Sequence, residues 1–257
     1  MKILAIGDVT GIGGVKHLEE KLWRIRDKHG IDLAIVNAEN AGFITGPSPE
    51  TAKRILDAGA DCLTGGNHTL RNKAVYSFLD EEERILRPIN FGADAPGSGY
   101  TVINVSGWRV LVISAMGNVH IEPCLDSPFS YIERALTRES GAYDLAVLDI
   151  HAEATGEKLA IAHAFDGKIN VIFGTHTHVP TADEQILPHG TGYITDVGMC
   201  GESGGILGMD SESVVERMKT RLPSKFKASC GEVIANAALF TVDLSSRRVT
   251  EIKRFDF

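Results

Sequence analysis

The chain has 257 residues, of which 43% are hydrophobic and 23% are charged, a composition typical of globular rather than disordered proteins. A chain of this length can bury a sizeable core without disulfides or a partner chain, and we expect one domain over residues 1–257. The formal net charge of −8 argues against a nucleic-acid polymer as the partner, because such binding depends on clustered Lys and Arg.

Neither a membrane span nor a secretory signal is predicted. The apolar runs are far too short to cross a bilayer, and residues 1–8 lack the long apolar stretch and cleavage site of a signal peptide. Four cysteines are scattered without a CxxC pair, which favours free thiols in a reducing compartment. We therefore expect a soluble cytoplasmic protein with no membrane partner.

The first third of the chain alternates between short apolar strands and amphipathic helices. Val15, Leu18, Leu22 and Ile25 recur at helical spacing, with Gly30 as the expected C-cap. The order of elements predicts parallel strands joined by right-handed crossovers. Strands are predicted at 2–6, 32–37 and 61–64, and further helices at 49–58 and 72–79.

The remainder of the chain predicts antiparallel pairing as well. Two β-rich runs, 100–105 and 109–115, are separated by a three-residue turn and predict a hairpin, and a last hairpin is predicted from 237–244 and 248–255. An α/β protein with two mixed β-sheets fits this order better than one parallel sheet. The other predicted elements are helices near 130–137, 157–165 and 211–219, and strands at 144–150, 170–173 and 192–195.

Side chains that could coordinate a metal follow the predicted strands. Because the carboxyl ends of parallel strands lie along one edge of a sheet, we expect these side chains to meet there. His176 and His178 would project to the same side of an extended segment. Each motif alone could be a turn, a helix cap or a structural histidine, but their coincidence favours a metal site. The motifs are Gly7-Asp8, Asn37-Ala38-Glu39-Asn40, Gly65-Gly66-Asn67-His68, Asp149-Ile150-His151 and Gly174-Thr175-His176-Thr177-His178.

The glycine-rich segment 7–14 follows a strand and opens a helix, as dinucleotide-binding turns do. The fingerprint G-x-G-x-x-G does not fit, and Asp8 inside the turn would repel a pyrophosphate. A Rossmann-like cofactor binder is therefore a minor alternative, one that predicts dinucleotide binding indifferent to a metal chelator.

The motifs GD, ENA, GNH and GTHTH occur in this order, and His151, which follows a predicted strand, lies between GNH and GTHTH. In this set of motifs the chain resembles the calcineurin-like metallophosphoesterases. Within them the chain is similar to the YmdB-like branch, whose members are 2′,3′-cyclic-nucleotide phosphodiesterases. The similarity spans nearly the whole chain and includes 151–155, 195–199 and 205–210. It implies a four-layer α/β/β/α sandwich with two mixed sheets. Thr10 replaces a ligand histidine of the broader superfamily, and Glu39 replaces its bridging aspartate.

The resemblance further implies a centre of two divalent or trivalent metal ions per chain, with iron expected and manganese as the alternative. Carboxylate, amide and imidazole ligands without a thiolate suit such ions and argue against a structural zinc site. The implied ligands are the bridging Glu39, then Asp8, Asn40 and His178 on one metal, and Asn67, His151 and His176 on the other.

The resulting hypothesis is a dinuclear metal-dependent phosphodiesterase that hydrolyses small cyclic nucleotides, in the first place 2′,3′-cyclic nucleoside monophosphates. A metal-bridging hydroxide would attack phosphorus, and His68 would protonate the leaving ribose oxygen as general acid. Glu153 and Asp196 are candidates to orient ligand imidazoles.

Three alternatives to this function stay open. The same site could serve a phosphomonoesterase or a broader phosphodiesterase, with specificity set by loops 42–49 and 117–127. A non-catalytic regulatory protein with a disused site is the third, although the complete ligand set argues against it. The oligomeric state is also open, a homo-oligomer being one option.

Overall fold

The computed structural model describes residues 1–42, 45–223 and 227–257. Strands and helices alternate over most of this length. The strands are β1 (Lys2–Ile6), β2 (Asp8–Val9), β3 (Leu33–Asn37), β4 (Cys62–Thr64), β5 (Tyr100–Val105), β6 (Trp108–Met116), β7 (Leu145–His151), β8 (Val171–Thr175), β9 (Gln185–Ile186), β10 (Gly192–Ile194), β11 (Met199–Glu202), β12 (Val233–Asp243) and β13 (Arg248–Asp256). The helices are α1 (Gly11–His29), α2 (Pro49–Asp57), α3 (Tyr76–Glu81), α4 (Pro128–Arg138), α5 (Thr155–Ala164) and α6 (Ser211–Thr220).

The first sheet has seven strands in the order β2-β11-β12-β1-β3-β4, with β13 paired to β12 as well. Strands β1, β3 and β4 are parallel, which confirms the parallel strands predicted for the first third of the chain. Strand β12 runs antiparallel to β1, β11 and β13, and its pairing with β13 confirms the predicted last hairpin.

The second sheet has six strands in the order β5-β6-β7-β8-β10-β9. Strands β6, β7, β8 and β10 are parallel, while β5 and β9 pair antiparallel at the two edges. The β5–β6 pair is the predicted hairpin. Both sheets are therefore mixed, as the sequence predicted.

Three apolar cores hold the layers together. One core lies between the two sheets and combines residues such as Ile35 and Phe240 with Val147 and Phe173. A second fills the space between the first sheet and α1–α3, and a third the space between the second sheet and α4 and α5. The predicted four-layer α/β/β/α sandwich is thus confirmed.

Helix α1 shows how the sequence pattern produces a layer. Its buried side chains, including Leu18, Leu22 and Ile25, lie on the face toward the first sheet, and Gly30 ends the helix in the left-handed conformation at φ 62°. Among the described residues, no helix combines the length and the apolar character that crossing a bilayer requires.

Two local predictions were wrong. The predicted helix at 72–79 begins instead as a 3₁₀ turn, Lys73–Val75, whose first turn the Asn72 side chain caps, and becomes α-helical only from Tyr76. Residues 8 and 9 were expected to lie in a turn, but they form β2 and pair with β11. The pairing needs Gly7, since a Cβ there would lie 1.9 Å from the Gly198 carbonyl oxygen.

Candidate metal centre

The polar ends of five strands meet at one end of the sandwich, but they do not lie along one sheet edge as expected. Strands β1, β3 and β4 belong to the first sheet, whereas β7 and β8 belong to the second. The two groups converge because the sheets pack face to face. The candidate side chains therefore lie at a junction between two sheets.

Two buried carboxylates form the centre of this junction. Asp8 is fully buried and Glu39 is 1% exposed. Oδ2 of Asp8 accepts a hydrogen bond from the His176 backbone N–H at 3.0 Å, whereas its Oδ1 has no hydrogen-bond partner among the described residues. Oε2 of Glu39 accepts from the His68 backbone N–H at 2.8 Å. A buried carboxylate oxygen without a donor is costly and is open to a cation.

The pKa values of the two carboxyl groups shift in opposite directions. Burial, together with the neighbouring Glu39, raises the pKa of Asp8 well above its usual range. Burial alone would also raise the pKa of Glu39, but the His151 and His68 side chains outweigh it and lower that pKa to about 2. The repulsion between the two groups is what a bound cation would relieve.

A second group of ligand atoms surrounds the imidazole of His151, the last residue of β7. Its Nε2 lies 3.1 Å from the Asn67 Oδ1, 3.1 Å from the His176 Nδ1 and 3.5 Å from the Glu39 Oε2. Burial lowers the pKa of His151 well below its ordinary value, and burial also lowers the pKa of His176. Neutral imidazoles are the form that binds a metal.

His178 completes the group around Asp8. Ligand atoms of Asp8, Glu39 and His178 lie within 4.8 Å of one another. The Nδ1 of His178 lies 3.3 Å from the Leu207 carbonyl oxygen, which leaves Nε2 as the ligand atom, and burial lowers the pKa of this imidazole. Asn40 presents its amide nitrogen to His178 at 3.1 Å, so it would bind a cation through oxygen only after a half-turn of the amide.

His176 and His178 were expected to project to the same side of an extended segment. Both side chains reach the junction, but the expected backbone conformation was wrong. The segment is not extended, because both residues have left-handed backbones, with φ values of 102° and 64°. Such conformations cost about 1–3 kcal/mol each outside glycine and persist only when the surroundings hold them. One imidazole therefore approaches His151, and the other approaches Asn40.

A buried ion pair contacts the backbone of this histidine segment. Lys158 of α5 and Asp196 are both fully buried, and the Lys158 ammonium donates to the Asp196 Oδ2 at 2.8 Å and to the Thr175 carbonyl oxygen at 2.8 Å. Asp196 also accepts from the Thr177 N–H at 3.1 Å. Asp196 therefore contacts the backbone rather than an imidazole, unlike the role expected for it.

Glu153 does contact an imidazole, as expected. Its Oε2 lies 3.2 Å from the Nε2 of His176, on the side of the ring away from His151. A carboxylate in this position favours the proton on Nε2 and leaves Nδ1 free for a metal.

Sequence reasoning missed Lys158, Thr175 and Leu207. The sequence pattern of its helix predicts that Lys158 is exposed to solvent like the other charged residues there. Only the ion pair with buried Asp196 shows its role. Thr175 could have been noticed, since it lies inside the GTHTH motif and at the end of a buried strand. Leu207 has no signal in the sequence, because its role rests on its carbonyl oxygen and on a left-handed backbone at φ 54°.

A cleft of about 320 Å³ opens onto these groups. Its lining combines the apolar residues Leu207 and Met209 with polar residues that include Glu39, His68 and His176. Loop 117–127 borders a neighbouring depression beside Asn67 instead. Loop 42–49 contains residues 43 and 44, which lie outside the described residues.

The residues at the junction fit a cation centre. An orphaned buried carboxylate oxygen, two like charges and converging imidazole nitrogens are arranged around common space. Mixed oxygen and nitrogen donors without thiolate suit borderline ions such as iron and manganese.

Comparison with known proteins places the chain in a family. Residues 4–255 match the model of a family described as YmdB-like protein. The chain belongs to the YmdB-like family. A YmdB-like relative from Bacillus subtilis (strain 168), named 2′,3′-cyclic-nucleotide 2′-phosphodiesterase, is 38% identical over 254 residues, which are 99% of this chain and 96% of the relative.

Two solved structures share the YmdB-like fold closely. One is a hypothetical protein from Thermus thermophilus, with a TM-score of 0.92, 37% identity, and coverage of 100% of this chain and 99% of that one. The other is described as a novel phosphatase from Mycoplasma pneumoniae, with a TM-score of 0.92, 32% identity, and coverage of 100% of this chain and 93% of that one.

The fit to a cation predicts that metal stabilises the fold. Protein purified without chelator should carry two metal ions per chain by elemental analysis. If free metal is at 100 times its Kd, each bound ion contributes about 2.7 kcal/mol, so stripping should lower the Tm by about 5 °C per ion. Asp8→Asn should abolish most of this difference. If the protein is purified without metal and its Tm changes neither with chelator nor with added Mn²⁺, the cation centre is contradicted.

The buried ion pair predicts a large asymmetry between two variants. Lys158→Met leaves Asp196 charged in the core and should cost about 3–5 kcal/mol of unfolding free energy in denaturant titrations. The double variant Lys158→Met/Asp196→Asn should recover part of that loss. Arg109→Met, at a partly exposed pair with Asp144, is the control and should cost much less, because solvent screens that pair. Equal losses for Lys158→Met and Arg109→Met would show that the buried pair has no special role.

Proposed function

We propose that this chain is a metal-dependent phosphodiesterase that hydrolyses 2′,3′-cyclic nucleoside monophosphates. The observation that carries the proposal is the convergence of Asp8, Glu39 and His178 with the ligand atoms around His151 at one buried junction. The name of the Bacillus subtilis relative supports the substrate class, because it specifies a 2′,3′-cyclic nucleotide and its 2′ ester bond.

The ligands would be shared between two positions, as the motifs suggest. Bound there, two metal ions would supply Lewis acidity toward the phosphoryl oxygens and an activated hydroxide as nucleophile. The proposed ligands are Glu39 between both positions, Asp8, Asn40 and His178 at one, and Asn67, His151 and His176 at the other.

His68 is the proposed general acid. Hydrolysis of the 2′ ester bond adds a hydroxyl group to phosphorus and requires a proton on the departing O2′. The His68 ring lines the cleft, its Nδ1 lies 2.6 Å from the Asn40 Oδ1, and the Glu39 carboxylate is 3.3 Å away. The Glu39 carboxylate favours a proton on Nδ1 whichever way the Asn40 amide is turned, so a ring that also carries a proton on Nε2 can deliver that proton to O2′.

The cleft supports a small substrate rather than a polymer. Its volume of about 320 Å³ falls at the low end of the range of about 300–1,000 Å³ usual for small-molecule pockets. The apolar side chains of Leu207 and Met209 form a surface on which a nucleobase can rest while the phosphate faces the polar side. A single cyclic nucleotide matches this division of the cleft.

Replacing His68 separates a proton-transfer role from a ligand role. His68→Ala should retain the metal content of the wild type by elemental analysis, while turnover of 2′,3′-cyclic AMP falls by about 10²–10⁴-fold. His163→Ala, on the exposed side of α5, is the control and should leave both quantities unchanged. Loss of metal in His68→Ala would make this histidine a ligand instead.

A substrate panel separates the proposed activity from its nearest rivals. We expect 2′,3′-cyclic AMP to be hydrolysed to 3′-AMP with a kcat/KM at least about tenfold above those for 3′,5′-cyclic AMP and for 3′-AMP. Chromatography of the products identifies which ester bond is cleaved. Faster release of phosphate from 3′-AMP would favour a phosphomonoesterase, and the Mycoplasma pneumoniae structure is described as a novel phosphatase. Metal-loaded protein that turns over neither class would favour a regulatory protein.

A further inference from the structure

A third buried carboxylate, Asp149, lies beneath the metal centre without facing the cleft. It is fully buried at the end of β7. Its Oδ2 accepts from the Thr64 hydroxyl at 2.5 Å and from the Asn37 amide at 2.9 Å, while its Oδ1 accepts from the Thr175 hydroxyl at 2.8 Å. The three donors come from β4, β3 and β8, so this carboxylate joins both sheets and its position is fixed on all sides.

The Thr175 hydroxyl connects the Asp149 carboxylate to the imidazole of His151 through hydrogen bonds. A hydroxyl has one proton, and Thr175 donates it to Asp149. Its oxygen can then only accept, and it lies 2.9 Å from the His151 Nδ1 and 3.2 Å from the Asn37 amide nitrogen. Nδ1 of His151 must therefore be the protonated nitrogen, which leaves a lone pair on Nε2.

The opposite side of the His151 ring is confined by the backbone. A Cβ added to Gly66 would lie 2.3 Å from the His151 Nε2, so the glycine lets the ring approach this closely. Packing limits where the ring sits, but it does not decide which nitrogen carries the proton. That choice depends on the hydrogen bond to Thr175.

We propose that Thr175 is a positioning residue for His151, holding the Nδ1–H tautomer so that the Nε2 lone pair points to the metal. The proposal rests on the metal centre of the proposed function and adds the group that prepares one of its ligands. Loss of such a partner typically weakens metal binding by 10–100-fold.

Three substitutions test this role with nearly constant shape. Thr175→Val removes the hydroxyl and keeps the β-branched volume, Thr175→Ser keeps the hydroxyl, and Thr64→Val removes a different hydrogen bond to the same Asp149 carboxylate. Thr64→Val is thus a matched control for weakened anchoring of Asp149. Chelator-stripped proteins would be titrated calorimetrically with Mn²⁺ at pH 8.

We expect Thr175→Val to bind one Mn²⁺ about 10–100-fold more weakly than the wild type does. Thr175→Ser and Thr64→Val should remain within about threefold of the wild type for both ions. Wild-type affinity in Thr175→Val, or an equal loss in Thr64→Val, would overturn the proposal.

A second measurement needs no metal. In metal-free protein labelled with ¹⁵N-histidine, the His151 signal, assigned by its loss in His151→Gln, should show the Nδ1–H tautomer, and Thr175→Val should lose this preference. An Nε2–H tautomer in the wild type would overturn the proposal. A wild type that binds no Mn²⁺ yet shows the Nδ1–H tautomer would overturn the metal centre and leave Thr175 as the residue that fixes the ring.

Discussion

The organisation of this site follows from the energetic cost of burying carboxylates where the two sheets meet. Asp8, Glu39 and Asp149 are all essentially inaccessible to solvent there. Asp149 is satisfied by three neutral donors from neighbouring strands, whereas Asp8 keeps an oxygen without a donor among the described residues. Burying a carboxylate without compensating donors costs free energy, so a nearby positive charge would stabilise Asp8. The site is thus a consequence of how the sheets dock, as well as of which residues end the strands.

Much of the surrounding structure holds this junction in shape. The histidine segment has two left-handed backbones, and it is tied down by the Asp8 carboxylate, the Lys158 ammonium and the Asp196 carboxylate. Each of these hydrogen bonds is made to the backbone of the segment, so the imidazoles can point into the junction. A scaffold that fixes backbone and leaves side chains available is what a site for cations requires.

The overall charge of −8 and the anionic substrate that we propose are compatible because the relevant field is local. Only two of the carboxylates, Asp8 and Glu39, line the junction as ligand candidates among the described residues. Burial lowers the pKa values of three imidazoles near them, those of His151, His176 and His178, and so disfavours positive charge on these rings. Two divalent cations would exceed that negative charge. The cleft is also lined by the uncharged side chains of Leu207 and Met209, which suit the uncharged part of a nucleotide.

Local sequence patterns predict the parallel strands of the first third of the chain, both hairpins and the motifs that carry the candidate ligands. These features depend on local periodicity and on turns between neighbours, such as the apolar spacing that ends at Gly30. The folded structure adds that the motifs belong to two sheets and that Asp8 lies in a strand paired with β11. It also decided the roles of Lys158 and Thr175. Those roles arise from contacts between distant parts of the chain, such as Asn37 with Asp149, 112 residues apart, which no local pattern encodes.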